Sequence, residues 1–362
     1  MLRTACHDWH AAHGGRMVDF AGWHMPVQYT TIVEEHHAVR RAAGLFDITH
    51  MGRLKFSGPD ACACLDRLLT NDVAQLQIGQ IRYSLVCHER GGILDDVLVY
   101  RFSEHYLLVV NASNRLKIIE WVEAHIGGCD VHFEDQTFDH FMCAIQGPKA
   151  IDILHPLVDS HDIRETAYYW GAEGSALNVP ALISRTGYTG EDGFEIVLPV
   201  EHGPRLWETL IDRGREHGLL PAGLGCRDTL RLEAAMPLYG HEMDEAVDPY
   251  TAGLAFGVKL QKVADFIGKE ALVAAKARED RPKRVGLELA GRRIAREGAL
   301  LFAGDRAIGK ITSGTFSPTL EKPIAMGFVP AEFSQPGTPL EVDVRGKREQ
   351  AKVVPLPFYK RG

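Results

Sequence analysis

From Ser184 to Ile196 the chain sets glycines at every third position, Gly187, Gly190 and Gly193, and then changes period. Phe194, Ile196 and Leu198 alternate with Glu195 and Val197. Glycine permits backbone angles and close approaches that other residues resist, so the pattern predicts a tight loop delivering a strand. On that strand Glu195 faces away from Phe194 and Ile196. A carboxylate aimed from a rigid strand, with the Tyr188 phenol just upstream, suits a donor-rich ligand edge. A plain hairpin with a solvated glutamate satisfies the same residues.

At 362 residues the chain exceeds one ordinary core, and roughly 150 residues per domain predicts two or three. The formal charge is −8 and no basic run occurs, which argues against nucleic acid as a partner. No apolar run approaches the ~20 residues of a membrane span, and the N-terminal residues lack a signal-peptide core. The seven cysteines are odd in number and scattered, which points to a reducing cytoplasm rather than a disulfide framework. Cys62 and Cys64 are the one close pair, with no second pair to complete a zinc set. Cys62 and Cys64 are read as buried small residues, and no metal is expected.

Thr31 to Glu34 has capping-box spacing and opens a helix predicted to reach Ala43 and stop at Gly44. His36 and His37 are assigned to its solvated face. Asp60 to Leu69 suits a second helix. A meander follows: Arg82 to His88, a Gly91-Gly92 turn, Ile93 to Phe102, a Ser103-Glu104 turn, then His105 to Asn111. Helices are expected over 113–126 and 205–217, and a strand over 141–146. Beyond the charged, linker-like run 276–283, short strands at 285–289, 300–302, 307–311, 325–329 and 340–344 predict a small all-β domain. Gly304 to Ile311 has P-loop spacing, but Ile311 replaces the required hydroxyl and no helix follows. No Gly-x-Gly-x-x-Gly after a strand, Gly-x-Ser-x-Gly or His-Glu-x-x-His is present.

Two adjacent aspartates interrupt the middle strand of the meander. Alternation puts Asp96 on a face with Leu94, Leu98 and Tyr100, and Asp95 with Ile93, Val97 and Val99. Aspartate is depleted in strands, and at least one carboxylate sits among apolar neighbours, where burial is costly unless it is paired. That placement marks a candidate site. Further on, a Gly-rich loop enters a helix bearing Arg227 and Arg231, four residues apart on one face. Two arginines at a helix start suit a carboxylate; on spacing alone a surface ion pair with Asp228 or Glu233 is the better fit.

Taken in order, several stretches resemble the glycine cleavage T-protein family of aminomethyltransferases. They are Phe20 to Tyr29 (Phe-Ala-Gly-Trp-His-Met-Pro-Val-Gln-Tyr), Thr49-His50-Met51-Gly52, Gly91 to Asp96, Arg185 to Ile196, Arg227 to Glu233, Pro237 to Glu242 and Thr312 to Pro318. The resemblance runs from about Arg16 to Pro355. Cys226, Ala235 and Phe256 depart from the Ala, Gly and Trp expected there. The resemblance implies an α+β, three-domain cloverleaf around a central cavity. Its first domain would be discontinuous (1–52 with 138–243), its second 53–137 with 244–278, and its third (279–362) a small β-barrel or jelly-roll-like unit.

The implied reaction passes the methylene of an aminomethyl group, carried on the dihydrolipoyl arm of H protein, to tetrahydrofolate. Ammonia is released and 5,10-methylenetetrahydrofolate formed; P and L proteins would be functional partners. By the same resemblance Asp96 is the catalytic carboxylate and Glu195 pairs with the pterin edge. Arg227 hydrogen-bonds folate, Tyr83, Tyr100, Asn111 and Tyr188 line the cavity, and Met51 forms its apolar wall. A related tetrahydrofolate-dependent demethylase, or a folate-binding accessory protein, are the alternatives. The Lys-Gly-Cys-Tyr-x-Gly-Gln-Glu motif of such accessory proteins is absent.

Overall fold

The structure, a computed structural model, describes residues 1–362. In chain order, α1 (His7–Ala12) precedes the hairpin β1 (Met17–Phe20) and β2 (Trp23–Pro26), then α2 (Ile32–Arg41), β3 (Ala43–Asp47), β4 (Gly52–Ser57) and α3 (Ala61–Leu68). The meander is β5 (Ile81–Cys87), β6 (Ile93–Arg101) and β7 (His105–Val110), followed by α4 (Arg115–His125) and β8 (His132–Asp135). Next come β9 (His140–Gln146), α5 (Ala150–Leu154), β10 (Gly171–Ala176), β11 (Val179–Ser184), β12 (Gly193–Pro199), α6 (Gly203–Gly214), β13 (Leu219–Pro221), α7 (Leu224–Glu233) and α8 (Lys269–Ala277). The last strands are β14 (Lys283–Leu289), β15 (Leu300–Ala303), β16 (Arg306–Ser317), β17 (Lys322–Val329), β18 (Pro339–Val344) and β19 (Lys347–Val354).

Besides the two-stranded β1–β2 sheet, three larger sheet systems result. One runs β10-β11-β12-β9-β3-β13, a second runs β5-β6-β7-β4-β8, and β14 to β19 close a barrel. The first sheet packs one face on α5 and α6 through Phe141, Phe194, Leu206 and Trp207. Its other face meets the second sheet through Phe46, Ile48, Met142, Tyr100 and Val109. The barrel encloses its own apolar core and touches α7 through Leu232, Ile324 and Met326. The final β unit is therefore a closed six-stranded antiparallel barrel. No helix is long and apolar enough to cross a membrane.

Several local expectations need correction. Thr31 caps α2, with Glu34 N donating to Thr31 Oγ1 at 3.1 Å, but the Glu34 carboxylate accepts from the Thr31 hydroxyl (3.0 Å) and not from its backbone N–H, so the box is only half formed. The helix ends at Arg41, however, and Gly44 lies inside β3. A Cβ at Gly44 would fall 2.4 Å from the Val39 methyl, so this glycine serves close strand–helix packing, not a helix stop. His36 is fully buried, not solvated. One ring nitrogen pairs with Thr229 Oγ1 and the other with Thr319 Oγ1, each at 2.8 Å. Cys62 is only half-buried, whereas Cys64 is buried as expected; no cysteine is bonded to another. The β10–β11 hairpin and β19 escaped sequence reading. Gly171 to Ala176 lacks the β-branched pattern, and its turn residues Leu177 and Asn178 adopt φ of 54° and 60°, a primed turn without its usual glycine. Gly304 to Ile311 forms the turn of the β15–β16 hairpin and the first half of β16.

Candidate active site

β6 puts its two aspartates on opposite sides of the second sheet. Asp95 is fully buried. It accepts hydrogen bonds from Asn111 N (3.0 Å), Asn111 Nδ2 (2.8 Å) and Asn114 Nδ2 (2.6 Å). It thereby fixes the turn between β7 and α4, a role that sequence reading did not see. Asp96 is half-buried and faces a cavity of about 540 Å³. Its Oδ1 accepts from Asn111 Nδ2 at 2.7 Å and its Oδ2 from Tyr83 Oη at 3.1 Å. Tyr83 pairs with Leu98 in the register, so its phenol reaches Asp96 diagonally. Burial raises the proton affinity of Asp96 above the ordinary carboxylate range, against the opposing bonds from Asn111 and Tyr83. Burial, then the Asp96 charge, raises Asp95 as well. The pair titrates as a unit.

The glycine motif builds the second wall. Gly193 lies so close to β9 that a Cβ would fall 2.4 Å from the Ile145 carbonyl oxygen, which fixes where β12 starts. Two residues later Glu195 is 6% exposed, so the solvated-hairpin alternative fails. Its Oε2 accepts from Thr186 Oγ1 at 2.6 Å. Burial raises its pKa, opposed by Thr186 and by the charge of Arg227. Arg227, in the first turn of α7, lies 4.7 Å from the Tyr188 ring centroid, and its Nη1 is sealed without any partner. Tyr188 Oη donates to the Pro237 carbonyl.

Arg227 and Arg231 do not act together. Arg231 is 2% exposed and turns to the barrel. It donates to Asp228 (2.8 Å), Glu242 (3.0 Å) and Ser313 (2.9 Å), so the expected surface pair is one arm of a buried network.

Met51, Tyr83, Asp96, Asn111, Tyr188, Glu195 and Arg227 all line the one cavity. Tyr100 does not. It shares the Asp96 face, as alternation predicts, but lies two pairs further along and is 1% exposed in the core between the sheets. Residues not named as site candidates from sequence also line it, among them His50, Tyr239, Phe256 beside Tyr83 (ring centroids 5.3 Å apart), and Arg284 from the barrel. Arg284 donates to the Ala235 carbonyl at 3.3 Å, so all three sheet systems meet here. The C-terminal tail does not line the cavity. Tyr359 bonds Glu191 at 2.7 Å, and Arg361 pairs with Asp192 at 3.4 Å on the outer side of the glycine motif.

A family model described as the GCVT N-terminal domain matches residues 6–262, and one described as the glycine cleavage T-protein C-terminal barrel domain matches residues 283–360. The chain belongs to the glycine cleavage T-protein family. An aminomethyltransferase of Desulfitobacterium hafniense (strain DSM 10664 / DCB-2) is 51% identical over 362 residues, covering 100% of this chain and 99% of that one. One from Symbiobacterium thermophilum is 46% identical over 366 residues, covering 99% and 98%. The crystal structure of glycine cleavage system aminomethyltransferase T from Bartonella henselae superposes with a TM-score of 0.93 at 34% identity, covering 99% and 98%. The protein is thus a T-protein-type aminomethyltransferase, a one-carbon transferase of the glycine cleavage system that uses tetrahydrofolate as substrate.

Proposed function

We propose that the cavity binds tetrahydrofolate with its pterin edge at Glu195 and Arg227 and its reacting nitrogens beside Asp96. Support comes from polar groups left open in an otherwise apolar pocket of ligand size. Arg227 Nη1 has no partner, and only Oε2 of Glu195 is engaged by Thr186. The Arg227 guanidinium makes no hydrogen bond to the protein, and its nitrogens other than the sealed Nη1 can donate to a ligand carbonyl. The pterin supplies donors that match a carboxylate. Met51, Val97, Leu98 and Met142 give the apolar faces that exclude water.

Bound tetrahydrofolate supplies the nucleophilic nitrogen that receives the methylene group. Protein residues position it and manage protons. The observation that carries the reading is Asp96: a half-buried carboxylate facing the cavity, oriented by Asn111 and Tyr83, with its proton affinity raised toward neutrality. Such a group can hold or release a proton near working pH and can stabilise developing positive charge. The aminomethyl donor is proposed to be the lipoyl arm of H protein. The chain is divided into 1–52 with 138–243, 53–137 with 244–278, and 279–362. We place it in the cytoplasm, on the seven scattered cysteines of its sequence.

The test mixes the protein with aminomethylated lipoyl H protein and tetrahydrofolate and follows ammonia and methylenetetrahydrofolate. Stoichiometric release of both is expected. Folate binding with neither product would overturn the assignment of the donor.

A further inference from the structure

His50 sits in the turn where the chain leaves β3 of the first sheet for β4 of the second. Its side chain lines the cavity yet is 2% exposed. The imidazole makes no hydrogen bond to the protein, and its Nδ1 is sealed from water. The neighbouring groups are already engaged. Asp47 accepts from His10 Nε2 and from Thr49 N, each at 2.9 Å. Thr49 Oγ1 bonds the Met142 carbonyl at 3.1 Å. Phe20, from the β1–β2 hairpin, meets the ring edge-on with centroids 5.4 Å apart. It fixes the plane of the imidazole without offering a partner.

A buried polar nitrogen left unsatisfied costs about 1–3 kcal/mol, and nothing in the packing around His50 recovers that. The other sealed, unpartnered polar atom of the cavity lining is Arg227 Nη1. Burial foremost, then the nearby charge of Arg227, lowers the His50 pKa to about 3, so the ring is uncharged at neutral pH. With Nδ1 sealed, the uncharged ring meets the cavity through Nε2, which donates in one tautomer and accepts in the other. Glu195 offers acceptors only and Arg227 donors only.

We propose that His50 is a ligand-reading residue, which hydrogen-bonds the bicyclic head of bound tetrahydrofolate beside Arg227 and thereby selects for that head over the tail. The inference rests on the proposed placement of folate in this cavity. A ring edge that alternates donors and acceptors is matched by a set containing all three kinds of group. A carboxylate and a guanidinium alone leave its mixed positions unread.

The test titrates the wild-type protein with tetrahydrofolate and with tail-less tetrahydropterin while the 15N shifts of the His50 ring are followed. Assignment comes from His50→Gln. Ring shifts that move with both ligands are expected. His50→Leu should weaken both ligands by a similar factor of about ten, and His50→Gln should recover part of that. Because His50→Leu removes an unsatisfied nitrogen, its ligand-free melting temperature should equal or exceed wild type, which a merely structural histidine would not allow. Wild-type binding with a silent His50 ring, or His50→Leu binding as wild type does, would overturn the role of His50. A flat wild-type titration would instead overturn the placement of folate, and the proposal with it.

Discussion

Asp96→Asn separates chemistry from binding. Asparagine keeps the shape, and its Oδ1 can still accept one of the bonds that Asn111 and Tyr83 now donate to Asp96. What disappears is a carboxylate facing the cavity. A positioned proton-transfer group contributes a factor of about 10² to 10⁴, which corresponds to roughly 3–5 kcal/mol of barrier. Turnover should fall by that factor while the dissociation constant for tetrahydrofolate stays within about threefold. The proton balance gives an independent check. The folded-state pKa of Asp96 is raised from the ordinary 3.8 to about 6, chiefly by burial. A raised carboxyl pKa favours the folded state fully below the ordinary value and loses that contribution as pH rises through the folded one. Ionised Asp96 therefore destabilises the fold at pH 7. Asp96→Asn should unfold at a higher denaturant midpoint than wild type at pH 7, and the gap should close below pH 4. Wild-type turnover should rise with pH through the range in which the coupled pair ionises. Stopped-time assays of ammonia and methylenetetrahydrofolate, with folate titrations on the same samples, measure each quantity. Near-normal turnover of Asp96→Asn would remove this carboxylate from the mechanism.

Glu195→Ala should act in the opposite sense, weakening tetrahydrofolate about 10- to 100-fold through loss of a charged hydrogen-bond acceptor; unchanged titration would contradict its contact with the pterin. Glu233 holds the barrel, accepting from Ser317, Thr319 N and Arg40 Nη2. Burial opposes its ionisation, but His36, Ser317 and Arg40 outweigh that and depress its pKa from 4.5 to about 2, which is worth roughly 3 kcal/mol. A depressed carboxyl contributes above its ordinary pKa and loses that as pH falls through the folded value. Calorimetry should therefore show stability falling between pH 4.5 and 2, less steeply in Glu233→Gln; equal slopes would refute the linkage. Ala235, where the family resemblance leads one to expect glycine, adopts φ of 55°, a conformation that costs an L side chain about 1 kcal/mol. Ala235→Gly should leave chemical stability unchanged or raise it, against the loss usual for Ala→Gly, and a drop beyond 1 kcal/mol would refute the strain.

What the sequence disclosed and what it hid follow from the range of the interactions. The meander was legible because alternation and the Gly91-Gly92 turn are local. Asp96 and Glu195 were legible because carboxylates among apolar strand residues need a reason to be there. Alternation also placed Tyr100 on the Asp96 face, correctly, but a period of two fixes the face and not the depth. The same face opens on the cavity at Asp96 and is covered by the first sheet at Tyr100. His36 looked solvated because its cover, Thr319, lies 283 residues away and belongs to the barrel.

The pair Arg227 and Arg231 shows the limit most clearly. Helical spacing predicted one shared face, suited to a shared anion or to a surface ion pair with Asp228 or Glu233. In the fold that face spans a boundary: Arg227 is left unpartnered toward the cavity, while Arg231, one turn on, is held by Glu242 and Ser313. Glu233, two residues beyond, takes Ser317 and Arg40. The helix that presents Arg227 is thus held by buried ionic and hydrogen bonds to Glu242, to Arg40 of α2, and to Ser313 and Ser317 of the barrel strand β16, three separate segments. Such a clamp cannot be read from spacing. Its consequence is physical: a change that loosens the barrel from α7 also moves Arg227, so mutations in Ser313 or Ser317, which do not line the cavity, should register there first as weaker folate binding.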